Sequence, residues 1–343
     1  MKRFGKILGR IALVLAETVV LLVLAAYALG YVIVNGPSPT AKELFVRSVK
    51  ETSAVGFLAD LYLDEEEIAA ILSAEDVVEY VETDTALITI AAPERDSGAD
   101  EWGLVDEDGD GIIVEEVKGE GFVGYMMVVL DPSRVILGSD PDNYGRRGYT
   151  VADMVTKYDA VAGINAGGFL DPDGMGNGSI PETAVVYEGG IYYAGSRKRK
   201  GFVGLDSDNI LHVGNFTTEE IRERDIQYGV CFGPVLISNG ESVLDEKNTG
   251  SLNPRTAIGQ RSDGAILMLV IDGRQVISIG ATYRDMVDIF LEYGAVNACN
   301  LDGGSSSMMW YQGDYVNNCA SVIGVRPVPT AFVVLQEGVT ADG

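Results

Sequence analysis

The chain has 343 residues, with Asp+Glu 51 against Lys+Arg 25, one histidine, three cysteines and 42 glycines. A formal charge of −26 excludes a nucleic-acid surface, because tracking phosphates requires a basic face. The single histidine, His212, removes a Ser-His-Asp triad and a His-rich zinc site as defaults; chemistry must rest on carboxylates, amides, hydroxyls and arginines.

Residues 11–34 read IALVLAETVVLLVLAAYALGYVIV, with Glu17 the one charge. As a helix this run covers about 36 Å, enough to cross a hydrocarbon core of about 30 Å. Lys2, Arg3, Lys6 and Arg10 precede it, and Asn35-Gly36-Pro37 ends it. That polarity predicts a cytoplasmic tail at 1–10, a transmembrane signal anchor at 11–34 and the rest of the chain outside the cell membrane. The bulky Tyr31–Val34 end is unlike the small-residue site of a cleaved signal.

Thr40 and Glu43 have capping-box spacing, which predicts a helix from about Ala41, and Asp64 before EEEIAAIL predicts a second. Residues 82–110 hold ten acidic side chains and one arginine, the composition of a solvated spacer. Residues 35–111 are therefore expected to form a helical stalk and acidic N-terminal lobe.

From Ile112 the texture changes to short β-rich runs between Gly/Asp/Asn turns: GFVGYMMVVLDPSRVILG, TAVVYEGGIYYA, CFGPVLISNGE, AILMLVIDGRQVISIG and TAFVVLQEG. YTVADMVTKYDA and YRDMVDIFLEYGA interrupt them with helical spacing. The expected fold is α+β, with a large mixed or mostly antiparallel curved sheet and packed helices in one domain over 112–338, preceded by the transmembrane helix. Cys231, Cys299 and Cys319 permit one disulfide and leave a thiol over.

Candidate chemistry concentrates at run ends. Asp106-Glu-Asp-Gly-Asp-Gly111 resembles the start of a calcium loop, but Val117 stands where a bidentate glutamate is needed; a solvated acidic turn is the expectation. The basic run Arg197–Lys200 and His212 are expected to be a solvated loop and a structural strand residue. Asn300-Leu-Asp-Gly-Gly-Ser-Ser-Ser307 places Asp302 beside two glycines whose backbone can approach a ligand. Asn165-Ala-Gly-Gly-Phe169, Asn253-Pro-Arg-Thr-Ala-Ile-Gly259 and Ile271-Asp-Gly-Arg274 repeat the theme of a polar group and a glycine at the end of an apolar run.

GINAGGF, FGPVLISNGE, NPRTAIGQRSDG, VIDGRQ, NACNLDGGSSSMM and RPVPTAFVV, in that order, together resemble the phosphodiester glycosidase family, and its bacterial membrane-anchored branch in particular. The resemblance implies a glycoside hydrolase that cleaves a sugar-1-phosphodiester, of the N-acetylglucosamine type, to free sugar and a phosphomonoester. It implies Asp302 as the principal catalytic carboxylate and Asp272 as its partner, with Glu182 the alternative partner. Arg255, Arg274 and the Gly303-Gly304 amides would hold the phosphate, Asn165 and Asn300 the sugar, and Ser305 and Ser306 would complete the turn. Gly168 replaces a phenylalanine common in the family's first motif, a change that bears on substrate size. No cofactor is implied; calcium or magnesium is compatible with the carboxylates, but no complete ligand set is legible. The competing reading is a surface module that binds phosphate-containing glycopolymers without cutting them.

Overall fold

Side chains cap several of the helix starts. A computed structural model describes residues 2–50, 55–73, 82–90, 98–171, 176–193, 201–244, 250–321 and 324–338, in two compact units, 1–75 and 76–343. The basic run 197–200 lies outside the described residues.

The first unit holds α1 (Lys2–Asn35), α2 (Pro39–Lys50), α3 (Phe57–Asp60) and α4 (Glu65–Ser73). Within α1, Gly9–Asn35 is long and apolar enough to cross a membrane. Asp64 caps α4 by accepting from Glu67 N at 2.8 Å, as its spacing predicts. The start of α2 differs: Ser38, not Thr40, accepts from Ala41 N at 3.3 Å. Val46, Ala59 and Ile68 form the small core that α2–α4 share.

The second unit runs β1 (Ile112–Gly119), β2 (Phe122–Val129), β3 (Val135–Ser139), α5 (Val151–Lys157), β4 (Ala160–Asn165), β5 (Ala184–Tyr187), β6 (Gly190–Tyr193), β7 (Phe202–Asp206) and β8 (Leu211–Gly214). It continues with α6 (Thr218–Glu223), β9 (Ile226–Val230), β10 (Val235–Ser238), β11 (Glu241–Ser242), β12 (Arg255–Arg261) and β13 (Ile266–Ile271). The last elements are α7 (Tyr283–Glu292), β14 (Ala295–Asn300), β15 (Met309–Tyr311), β16 (Asp314–Tyr315) and β17 (Thr330–Leu335). Thr150, Thr217 and Thr282 cap α5, α6 and α7, each in a reciprocal box with an acid three residues on.

The fold is α+β, and the strand pairings among described residues are antiparallel. Instead of one large sheet there are three: β1-β2-β13-β12-β14-β10-β11, β16-β15-β4-β17-β3 and β6-β5-β9-β7-β8. The uninterrupted apolar run of β13 has a direct cause, because the seven-stranded sheet is covered on both faces. Met268 and Val270 join a core with Ile164 and Phe332 of the second sheet. Leu267, Leu269 and Ile271 pack with Met286, Val287 and Phe290 of α7.

Two sequence expectations change. Parts of the acidic stretch are not a solvated spacer but a strap on the second unit, so the compact break falls after Glu75 rather than at residue 111. Buried Arg261 draws it in, donating to Asp100 at 2.8 Å and lying 3.8 Å over the Trp102 ring; Thr89 N also donates to Ser262 O at 2.8 Å. The second change concerns the β-rich run after Asp272, which leaves the sheet and turns back at residues 275–278. The three cysteines are all unpaired, with Cys299 buried in a sheet core.

Candidate active site

Four strand ends build the site: the ends of β4, β13 and β14 and the start of β12. Antiparallel pairing sets β12 between β13 and β14, with Arg255 opposite Ile271 and Ala257 opposite Asn300. The polar clusters that follow or precede these strands therefore emerge together.

The turn carrying Asp302 is held from three sides. Asp302 N donates to Ala166 O at 2.9 Å, Leu301 N to Thr256 O at 2.8 Å and Gly304 N to Pro254 O at 2.8 Å. The Asn165 amide donates to Asp302 O at 2.5 Å, while its oxygen accepts from Thr256 Oγ1 at 2.9 Å and Met308 N at 3.0 Å. Gly303 and Gly304 are required here. A Cβ at Gly303 would stand 2.8 Å from Pro254 O, and Gly304 has φ +63, a left-handed conformation that side chains disfavour. Asp302 through Ser305 are half-buried, whereas Ser306 and Ser307 are buried.

Asp272 follows β13 and is 3 % exposed. Asn317 Nδ2 donates to its Oδ1 at 3.0 Å, and Asn318 N reaches both oxygens, at 3.0 and 3.2 Å. Burial pushes its ionisation above the ordinary carboxylate range, and the bonds from Asn317 and Asn318 pull partly back. Asn317 itself is anchored, accepting from Met309 N at 2.8 Å and donating to Ser307 O at 3.1 Å.

The two arginines singled out from sequence play different parts. Arg255 is buried, donating to Ala281 O at 3.2 Å and to Ser251 O at 2.5 Å, with its guanidinium 4.2 Å over the Tyr283 ring. Its Nε and Nη2 thus donate to groups of the protein itself. Arg274 is exposed, has φ +57, and donates to Asn253 Oδ1 at 2.9 Å. Its Nη2 lies 3.3 Å from where a Gly304 Cβ would stand, so a cation sits directly on the Asp302 turn.

Other expectations meet the same distinction. Asn165 and Asn300 are buried; Asn300 Nδ2 donates to Gly233 O at 2.7 Å. Gly304's amide, expected to hold phosphate, is committed to Pro254 O. Glu182 is buried behind the first motif, its N–H donating to Gly168 O at 3.0 Å. Phe169, next to Gly168, is buried 5.0 Å beneath the guanidinium of Arg326. His212 is a strand residue bonded to Asp206 at 2.7 Å.

Sequence reasoning passed over Arg326, Asp171, Asn317 and Asn318. Buried Arg326 forks onto Asp171 at 2.7 and 2.9 Å and donates to Ser305 Oγ at 3.0 Å. It opens RPVPTAFVV, so its place before a buried strand was a usable signal. Asn317 and Asn318 had none, because the Asp272 carboxylate they hold lies 45 and 46 residues away in sequence. Among the described residues, the buried side-chain atoms without partners include Asn300 Oδ1, Ser307 Oγ and Arg326 Nε, all in segments that frame this turn. Away from the site, Asp106, Asp108 and Asp110 have carboxylate oxygens within 4.8 Å of one another. They accept from Gly109 N, Gly111 N, Gln312, Ile112 N and Tyr311, so the loop is tied by its own bonds.

An antiparallel α+β scaffold with two carboxylates, an exposed arginine and a diglycine turn gathered at its strand ends is the class of protein described so far. The chain belongs to the phosphodiester glycosidase family, whose profile matches residues 158–335, more than half of its length. It is similar to the SPbeta prophage-derived uncharacterized protein YomE of Bacillus subtilis, 31% identical over 195 residues, covering 54% of this chain and 29% of that protein. Human N-acetylglucosamine-1-phosphodiester alpha-N-acetylglucosaminidase is 27% identical over 218 residues, covering 57% of this chain and 41% of the human protein. The chain thus spans less than half the length of the curated relatives it matches. Its fold is similar to that of the zebrafish N-acetylglucosamine-1-phosphodiester alpha-N-acetylglucosaminidase catalytic domain, auto-inhibited by its pro-peptide, with TM-score 0.54 and 15% identity over 77% of this chain and 99% of that one.

Proposed function

We propose that the second unit hydrolyses a sugar-1-phosphodiester of the N-acetylglucosamine type, releasing free sugar and leaving a phosphomonoester. The observation that carries the reading is the exposed Arg274 guanidinium standing on the Gly303-Gly304 turn beside half-buried Asp302. Membership of the family supports the reaction class.

Water adds across the bond between the anomeric carbon and the phosphate oxygen: the sugar keeps the new hydroxyl, and the departing oxygen keeps the bonding pair. Glycosidic cleavage of this kind uses a pair of carboxylates around an oxocarbenium-like transition state. Asp302 is the carboxylate that faces the reacting carbon. Asp272, whose burial favours its protonated form, assists as the acid, an easier task because phosphate is already a good leaving group. Arg274 holds the phosphate and neutralises the charge that grows on it. Asn165, Arg255 and Gly304 N shape the turn rather than touch the substrate.

The first unit supplies the address. The helix over Gly9–Asn35 follows Lys2, Arg3, Lys6 and Arg10, which supports a single pass with the N-terminus cytoplasmic and the catalytic unit outside. Cell-surface or exopolysaccharide material is then the substrate within reach. The test is sugar release from an N-acetylglucosamine-1-phosphodiester by the full chain in detergent micelles. Release is expected from the native chain and not from Asp302→Ala; equal release from both overturns the reading, and binding without release from the native chain makes it a glycopolymer-binding module instead.

A further inference from the structure

The turn after Asp272 carries side chains that the fold does not use. Gln275 and Ser278 exchange backbone bonds at 2.9 and 3.2 Å, closing a tight turn with Val276 and Ile277 at its centre. β-branched residues are poor choices there, where Gly, Asn, Asp and Pro are favoured. Nor are they placed for burial: Val276 is 102% exposed and Ile277 72%. Ile279, 50% exposed, extends the apolar surface towards Gly121, its N–H donating to Gly121 O at 2.8 Å.

This apolar tip is continuous with the catalytic groups. Arg274 precedes Val276 by two residues, no more than about 7 Å of extended backbone. Gln275 Nε2 donates to Asn318 O at 2.9 Å, and Asn318 N holds Asp272 at 3.0 Å. One short turn therefore carries a buried carboxylate, an exposed cation on the diglycine turn and an exposed aliphatic pair.

We propose that Val276 and Ile277 receive an apolar aglycone, so that the phosphodiester cleaved here joins a sugar to a long-chain alcohol, as in a lipid-linked cell-surface glycan. This rests on the sugar-phosphodiester reading above and names its substrate class. A phosphate on Arg274 carries two esters. The sugar ester faces Asp302, and the other departs past the tip. A second sugar or a polyol finds neither donor nor acceptor on valine and isoleucine side chains, whereas an alkyl chain gains with every methylene it removes from water. Hydrolysis then yields free sugar and an alkyl phosphate.

The test compares the full chain, held in lipid nanodiscs, with its Val276→Ser/Ile277→Ser variant. Two probes are used, the methyl and the octyl phosphodiesters of N-acetylglucosamine 1-phosphate. The native chain is expected to prefer the octyl ester by tenfold or more in kcat/KM, and the variant to lose most of that preference at an unchanged melting temperature. Equal turnover of both esters, or a preference the variant keeps, overturns the aglycone role while leaving the hydrolase intact. A variant that changes only the sedimentation of the protein assigns the tip to self-association and also overturns it. Failure to cleave either ester overturns the hydrolase reading itself, and this inference with it.

Discussion

The side-chain amide of Asn165, at the end of β4, donates to the backbone carbonyl of Asp302 at 2.5 Å. With Asp302 N on Ala166 O at 2.9 Å, it clamps the turn after β14 to a strand of a different sheet. Asn165, read from sequence as a sugar-binding residue, holds in place the backbone that carries Asp302.

Asn165→Ala should therefore cost stability and activity together. It removes the Asn165 bonds to Thr256 Oγ1, Met308 N and Asp302 O, a loss of about 1–3 kcal/mol for buried groups of this kind. Denaturant unfolding and sugar release should fall in step; a variant of native stability that merely binds substrate more weakly would return Asn165 to the sugar.

Arg255 and Arg274 should separate cleanly. Arg255→Ala strips a cation from a ring and from two carbonyls inside the fold, so its melting temperature should drop. Arg274→Ala, at an exposed position, should melt like the native chain yet lose about 100-fold or more in kcat/KM, the scale of losing one charge-stabilising group. Thermal melts alongside kinetics decide it.

Asp272 makes the pH prediction. Burial raises its ionisation, and the Asn317 amide opposes that rise. Asn317→Ala should move the carboxylate limb of the kcat/KM profile to higher pH; a downward or absent shift would contradict the assignment. The stability sign follows from linkage. A raised folded-state ionisation favours the fold fully below the ordinary carboxylate range, and this contribution is lost as pH rises through the raised value. Asp272→Asn should therefore lose less stability between pH 4 and pH 7 than the native chain, measured by denaturant unfolding at both.

Gly304→Ala should impair catalysis out of proportion to its size. The left-handed φ of +63 costs a side chain about 1–2 kcal/mol, and the new Cβ would press on the Arg274 guanidinium at 3.3 Å. The expected result is a modest fall in melting temperature with a larger rise in KM for the phosphodiester.

Much of the architecture is local and so was legible. The apolar helix, the cap at Asp64, the helices after Tyr149 and Thr282, and the strand ends at Asn165, Asp272 and Asn300 follow from spacing over a few residues. The same reasoning overlooked α6 although Thr217 and Glu220 form its capping box. It extended a β-rich run through 276–279, where the backbone instead turns back on itself between Gln275 and Ser278. It also released the acidic stretch into solvent, because nothing near Asp100 announces Arg261.

Composition and short-range pattern were enough to set the α+β class and the four clusters that meet at the candidate site. They could not say which polar atoms remain for a ligand, since a donor's partner is decided by the folded chain. The partners of Asn165 lie 91, 137 and 143 residues away, and those of Asp272 lie 45 and 46 away. Only tertiary packing could turn Asn165 and Arg255 inward, leave Arg274 on the diglycine turn and set Val276 and Ile277 out in water.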